Sequence, residues 1–544
     1  MTTGPLIVQS DKTALLETAH PQAADARHDL AIFAELERAP EHIHTYRITK
    51  LGLWNARAAG HDADFVLDIL DRYAKFPIPT SVRTDITETM GRYGRLKITR
   101  DLEGKLVLSC DSQAILLEVI KHRKVNELLG EQLSDTTIAI QDWARGQVKQ
   151  ELLKLGWPAE DLAGFAAGTP HEIGLDEGNW KIREYQSQAV EKFWAGGSGV
   201  VVLPCGAGKT IVGAAAMSVA KTNTLILVTN TVSARQWKSE LIKRTTLTED
   251  EIGEYSGAAK EIKPVTIATY QILTTKRRGE YAHLDVLNAN DWGLIVYDEV
   301  HLLPAPIFKM TADLQARRRL GLTATLVRED GKEGDVFSLI GPKRYDAPWK
   351  EIEEQGYIAP AACFEVRVDM EDEQRLNYAI SDQDDRYRIA ATCNAKLPVI
   401  QKILAKHQGE PTLIIGQYLD QIDEVAETLH IEKITGETPV PVREELFEKF
   451  RTGEISTLVV SKVANFSVDL PEASVAIQIS GSFGSRQEEA QRLGRLLRPK
   501  QDGRSASFYT LISRDTVDQD FAQNRQRFLA EQGYSYEILD SQSL

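Results

Sequence analysis

The chain has 544 residues, with 64 Lys+Arg against 79 Asp+Glu and a formal net charge of −15. At roughly 100–200 residues per domain this length suits three or four domains and excludes a single small module, while 42% hydrophobic and 26% charged residues exclude global disorder or a fibrous repeat. Net acidity excludes a protein that coats nucleic acid through bulk charge but leaves room for a local basic cleft.

The opening MTTGPLIVQSDK has no basic stretch followed by a long apolar one, and no run of about 18 apolar residues occurs, so neither a secretory signal nor a membrane span is expected. Residues 1 to 95 read as amphipathic helices with polar breaks. In DADFVLDILDRYAKF, Phe65, Val66, Ile69, Leu70 and Tyr73 fall on one helical face, and the FPIP that follows stops the helix. From 96 to 170, strand-like RLKITRD and KLVLSC and an apolar helix near 113–129 predict a small α/β unit.

From about 175, short apolar runs alternate with helical stretches: VVVLP, TLILVT, VTIAT, GLIVYDE and RLGLTAT, then FEVRV, TLIIG, STLVV, VAIQIS and ASFYTLI. Such alternation predicts two tandem α/β halves, each with a parallel sheet covered on both faces. The expected boundaries are 171–345 for the first half and 346–544 for the second. Cys110, Cys205, Cys363 and Cys393 are far apart without a CxxC pair, which supports neither a disulfide scaffold nor a zinc site and suits a reducing cytoplasm.

Chemistry concentrates at three places. In VVVLPCGAGKT a buried strand runs into a glycine loop and a helix. There Gly206, Ala207 and Gly208 let backbone N–H groups approach phosphate, Lys209 reaches the β and γ phosphates, and Thr210 can ligate Mg²⁺. Leu203 stands where the strict pattern has glycine, and a GKT tripeptide alone also suits an ordinary turn. In GLIVYDEVH, Asp298 and Glu299 follow an apolar strand, where open α/β sheets bind ligands. Asp298 suits a metal ion and Glu299 a hydrolytic water; a solvated acidic loop is the alternative. In QEEAQRLGRLLRPK, Gln491, Arg495 and Arg498 share a helical stripe able to stabilise a transferring phosphoryl group. A solvated basic face is the alternative there. If that stripe acts on phosphate, ATP sits between the halves.

The ordered set PCGAGKT, DEVH, GLTAT and QRLGRLLR resembles a superfamily 2 helicase, and Arg328, Glu329 and Asp330 directly after TATLV resemble the RED motif of the XPB family of DNA repair and transcription helicases. The resemblance spans about 180–535 and is most similar to the compact bacterial form. It implies two RecA-like domains, preceded by a mostly helical N-terminal domain at 1–95 and a small α/β damage-recognition-like domain at 96–170.

The same resemblance implies Arg183 and Gln186 at the adenine, and Thr229, Arg235 and Thr269 in loops that hold a DNA strand. His301, Thr323 and Thr325 would couple hydrolysis to domain movement, Asp469 would lie near the ribose, and Ser461 and Lys462 near the DNA. The RED residues become a candidate wedge. A thumb-like insertion is expected near 370–395, which in this chain is acidic.

The implied activity is an ATP- and Mg²⁺-dependent 3′–5′ DNA helicase acting on duplex, forked or 3′-tailed DNA in excision-type repair. It would be cytoplasmic and nucleoid-associated, monomeric, and served by a nuclease or another repair protein. Alternatives are a double-strand DNA translocase without productive unwinding, a DNA-binding scaffold that recruits a nuclease, and an RNA helicase.

Overall fold

The computed structural model describes residues 4–544 apart from 41, 205, 278, 316, 325–330, 348–351, 353–360, 462–472, 482–505, 521, 523–526, 528–529 and 531–535. The amino-terminal unit carries helices Ala23–Leu30, Lys50–Ala58, Ala63–Tyr73 and Thr80–Arg92. The amphipathic helix forms where its periodicity places it: Asp62 caps it by accepting the Phe65 N–H at 2.9 Å, and Val66, Ile69, Leu70 and Tyr73 are buried. Phe65 is only partly buried and stacks on His61.

A four-stranded antiparallel sheet, in the order Leu6–Val8, Thr13–Glu17, Ile43–Ile48, Ala34–Arg38, completes this unit and amends the helical expectation. AELER at 34–38 has helix-forming composition, yet its pairing with Ile43–Ile48 holds it extended, so long-range partners override local propensity.

Residues 96–161 form a five-stranded sheet in the order Leu129–Ser134, Thr137–Ile140, Leu106–Cys110, Leu96–Arg100, Ala159–Asp161. Its pairs are antiparallel except the last. The helices Gln113–Ile120 and Arg145–Lys154 bury Leu116, Val148 and Leu152 in a core shared with Leu96, Ile98 and Leu108.

Two seven-stranded parallel sheets follow. The first runs Ile252–Tyr255, Val265–Thr269, Thr224–Val228, Leu294–Asp298, Arg318–Thr323, Gly199–Val202, Lys343–Asp346. The second runs Lys433–Ile434, Thr457–Ser461, Thr412–Gly416, Val475–Gln478, Ala506–Ser513, Ala361–Val368, Tyr536–Asp540. Every apolar run singled out in the sequence becomes one of these strands. They are legible because both faces are covered, so Leu225, Ile226, Leu227 and Val228 in one strand are all buried. The acidic stretch at 370–395 forms two helices, Asp372–Ile380 and Gln383–Ala391. No helix among the described residues is long and apolar enough to cross a membrane.

Candidate nucleotide site

The glycine loop leaves the carboxyl end of Gly199–Val202, and the helix Lys209–Ala220 begins at once. Gly206 and Gly208 take φ of +81° and +82°, a left-handed backbone that suits glycine. A Cβ on Gly208 would also stand 2.5 Å from Gln186 Nε2. That amide is one of two groups donating to the Ala207 carbonyl, Gln186 Nε2 at 2.9 Å and the Tyr185 hydroxyl at 2.7 Å. Gln186 Oε1 accepts the Arg183 N–H at 3.0 Å, and Arg183 Nη1 donates to the Tyr185 hydroxyl at 3.1 Å. The segment expected at the adenine thus braces the loop from behind, with Gln186 itself 1% exposed.

Lys209 points across the strand ends to Glu299, with Nζ 2.9 Å from Oε1. Thr210 follows it on the same helix turn. Two strands away, Leu294–Asp298 ends in the acidic pair, and Glu299 has a left-handed φ of +48°. For a non-glycine residue this is a sparsely populated conformation, of the kind held in place at functional sites.

Asp298 is fixed by three hydrogen bonds. Trp237 Nε1 donates to Oδ2 at 2.8 Å, the Glu299 N–H to Oδ1 at 3.1 Å, and the Tyr270 hydroxyl to its carbonyl at 2.8 Å. Trp237 reaches it because Gly213 leaves room: a Cβ there would lie 2.4 Å from the indole. His301 Nδ1 lies 2.7 Å from Thr323 Oγ1 and 3.6 Å from Glu299 Oε2, linking the acidic pair to the neighbouring strand Arg318–Thr323.

The two acids titrate in opposite directions. Burial, then the negative charge of Glu299, pushes the Asp298 carboxyl up to about 6, against the pull of Lys209 and the Trp237 hydrogen bond. For Glu299, burial also acts upward, but Lys209 and then His301 outweigh it and hold the group below its ordinary value. A carboxylate whose negative charge is opposed by burial and a neighbouring anion is a favourable place for a hard cation. Asp298 and the Thr210 hydroxyl supply the oxygen donors that Mg²⁺ takes, so these residues fit the ion.

The three expected strand-holding positions of the first half differ in availability. Arg235 is exposed. Thr229 Oγ1 lies 3.2 Å from Ser233 Oγ beside the start of helix Thr231–Arg244. Thr269 is 2% exposed, and its hydroxyl accepts the Ile272 N–H at 3.3 Å as a helix cap, leaving its side chain little access to a ligand. In the second half, Ser461 ends the strand Thr457–Ser461 and is 2% exposed. Thr325, Arg328, Glu329, Asp330, Lys462, Asp469, Gln491, Arg495 and Arg498 lie outside the described residues.

Sequence reading missed Trp237, Tyr270 and Tyr185 as parts of the site. In the sequence, TNTVSARQW and TIATYQ point only to DNA. A tryptophan and a tyrosine ending polar motifs were the available signal.

Two parallel sheets of RecA type, with a phosphate loop and a strand-terminal Asp-Glu-Val-His beside it, define a helicase-type nucleoside triphosphatase. Family models match in three places. Residues 6–134 match "Helicase conserved C-terminal domain", 179–328 match "Type III restriction enzyme, res subunit", and 352–543 match "ERCC3/RAD25/XPB C-terminal helicase".

Among similar proteins, the "DNA 3'-5' helicase XPB" of Kineococcus radiotolerans is 66% identical over 100% of this chain and 98% of its own length. That of Mycobacterium tuberculosis is 61% identical over 100% and 99%. The "General transcription and DNA repair factor IIH helicase/translocase subunit XPB" of Encephalitozoon cuniculi is 34% identical over 98% and 82%. The chain belongs to the XPB helicase family. Among solved structures, the Pyrococcus furiosus Hef helicase domain aligns at 15% identity and a TM-score of 0.44, covering 63% of this chain and 98% of that one.

Proposed function

We propose that this chain is an ATP-dependent DNA helicase that moves 3′ to 5′ and unwinds or remodels duplex DNA in repair. The observation that carries the reading is the unbroken array Lys209, Glu299, His301, Thr323 across the carboxyl ends of adjacent strands. It joins a phosphate-binding lysine to a group that can sense hydrolysis.

In the proposed mechanism, Lys209 releases Glu299 when ATP enters and turns to the β and γ phosphates, while the loop N–H groups around Gly206, Ala207 and Gly208 cradle them. Glu299, freed of its ion pair, orients and deprotonates the attacking water. Thr210 and Asp298 would hold Mg²⁺, which supplies charge neutralisation at the phosphates. Trp237 and Tyr270 keep Asp298 aimed, and Tyr185 and Gln186 keep the loop in shape.

Gln491, Arg495 and Arg498, with Asp469 at the ribose, complete the site from the second half. Their engagement with ATP draws the halves together, and Ser461, Lys462, Arg235 and the loops at Thr229 and Thr269 grip the strand. Arg328, Glu329 and Asp330 act as the wedge, and His301, Thr323 and Thr325 couple hydrolysis to closure. The segments 1–95 and 96–170 select where the motor acts, on the motor of 171–345 and 346–544.

The name of the Encephalitozoon relative also contains "translocase". Duplex translocation without strand separation is therefore a second reading, since it uses the same engine.

The direct test is the steady-state ATPase rate with single-stranded DNA, duplex DNA and RNA at matched nucleotide concentration. Stimulation by DNA well above that by RNA is expected; equal stimulation by RNA would overturn the DNA assignment.

A further inference from the structure

A partly open cavity of about 200 Å³ lies in the seam between the small five-stranded unit and the first motor sheet. It lies by the amino ends of Gly199–Val202, Arg318–Thr323 and Lys343–Asp346, lined there by Ser198, Arg319 and Arg344. The phosphate loop follows the carboxyl end of the first of these strands. The two sites therefore stand at opposite ends of one sheet.

The wall sets three cations, Lys149, Arg319 and Arg344, against two carboxylates, Glu160 and Asp161. Arg319, 1% exposed, donates to backbone carbonyls, from Nε to Leu339 at 2.8 Å and from Nη1 to Leu314 at 3.2 Å, to Gln315 at 2.8 Å and to Arg317, and its guanidinium lies 5.7 Å from the centre of the Phe165 ring. Arg344 donates from Nε to the Ser198 carbonyl at 2.8 Å and from Nη2 to Gly196 at 2.7 Å. Neither guanidinium has a carboxylate at ion-pair distance among the described residues.

Of the two lining carboxylates, Glu160 acts electrostatically on Arg344 and Tyr93 without an ion pair to either among the described residues. Asp161 is already committed, to Arg145 through two hydrogen bonds of 3.0 and 2.8 Å and to Lys149 at 2.8 Å. Arg145 is 3% exposed, and its Nη1 is buried without a hydrogen-bond partner among the described residues. Tyr93 is also on the wall, and its ring meets Phe337 edge-on. Burial pushes Arg319 down to about 10 and Lys149 down to about 8, the direction expected of cations that lack full compensation.

We infer that this cavity binds a small oxyanion of the phosphate class, held by Arg319, Arg344 and Tyr93 in the seam between the small unit and the motor. The guanidinium nitrogens not given to carbonyls, Nη2 of Arg319 and Nη1 of Arg344, suit the oxygens of such an ion. The volume lies below the roughly 300–1,000 Å³ of pockets for larger organic ligands, which favours the free ion over a nucleotide. Lys149 also donates to Gln315 of the motor unit, so neutralising this cluster tightens the seating of the small unit.

The test is thermal unfolding of the full chain in inorganic phosphate or chloride at matched ionic strength and pH. It is run for wild type and for Lys209→Ala, Arg344→Gln and Tyr93→Phe. Lys209→Ala silences phosphate binding at the nucleotide loop. A saturable rise in Tm with phosphate alone is expected in wild type and in Lys209→Ala, as for any ligand that binds only the folded state. The midpoint should shift to about tenfold higher phosphate in Arg344→Gln and Tyr93→Phe, a loss of about 1.4 kcal/mol.

Equal shifts in chloride, a shift abolished by Lys209→Ala, or one undiminished in Tyr93→Phe would each overturn the proposal. Tyr93→Phe removes only the hydroxyl, so the test stands even if Arg344→Gln fails to fold. A short duplex DNA replaces phosphate in a further arm to separate a strand phosphate from the free ion: response to the free ion is expected, and response confined to DNA would contradict a small-ion site.

Discussion

Lys209 and Glu299 form an ion pair, Nζ to Oε1 at 2.9 Å, with both side chains largely buried at 14% and 20% exposure. The lysine thus holds the Glu299 carboxyl below its ordinary value. In the proposed mechanism, nucleotide entry exchanges this pair for a lysine–phosphate contact and frees the base.

Removing either partner should therefore have different effects. Lys209→Ala should abolish nucleotide binding and hydrolysis, and the unpaired Glu299 should then titrate higher. Glu299→Gln should bind ATP normally while hydrolysis falls by about 10²–10⁴-fold, the usual contribution of a positioned general base. Fluorescent-nucleotide binding beside single-turnover hydrolysis separates the two. Loss of binding in Glu299→Gln would count against its role as base.

Acid should inactivate through Asp298. Its carboxyl is raised from an ordinary 3.8 to about 6, so it is protonated below that pH and cannot hold a cation. ATPase activity should rise with pH through about 6, and higher Mg²⁺ should move that limb to lower pH, because metal and proton compete for one group. The linked stability has the opposite sign. A folded-state value above the unfolded one means that protonation stabilises the fold, a contribution fully present below 3.8 and lost as pH rises through about 6. Urea unfolding of the nucleotide-free protein across this window checks the second part.

Trp237→Phe keeps the ring against Gly213 but removes the indole N–H that Asp298 accepts. A hydrogen bond to a charged group is worth about 1.5–3 kcal/mol. The acid limb should therefore move to higher pH and the Mg²⁺ requirement should rise by about tenfold or more. A merely structural role for Trp237 would lower stability and leave the pH profile in place.

His301→Ala cuts the link between Glu299 and Thr323 without touching the loop that holds Lys209. ATP binding should be preserved and basal hydrolysis reduced by less than about tenfold, while strand separation per ATP hydrolysed should fall much further. Parallel loss of hydrolysis and unwinding would place His301 in the chemistry instead of the coupling.

The two parallel sheets were legible in sequence because their central strands are apolar on both faces, and two of them end in the glycine loop and the Asp298-Glu299 pair. The edge strands of the first sheet were not, since Lys343–Asp346 and Ile252–Tyr255 carry polar residues and are short. Ala34–Arg38 was missed because its composition favours helix and only its partner strand makes it extended. Within the site, Lys209, Asp298 and Glu299 follow from local motifs. The supports of Asp298 do not, because Trp237 and Tyr270 lie 61 and 28 residues away in sequence and meet it only through the order of the sheet.

The most direct measurement is strand separation on 3′-tailed and 5′-tailed DNA duplexes, with wild type and Glu299→Gln side by side. ATP- and Mg²⁺-dependent unwinding of the 3′-tailed substrate by wild type, little of the 5′-tailed one, and none of either by Glu299→Gln is the expected result. DNA-stimulated hydrolysis with neither duplex opened would contradict the helicase assignment and leave a translocase.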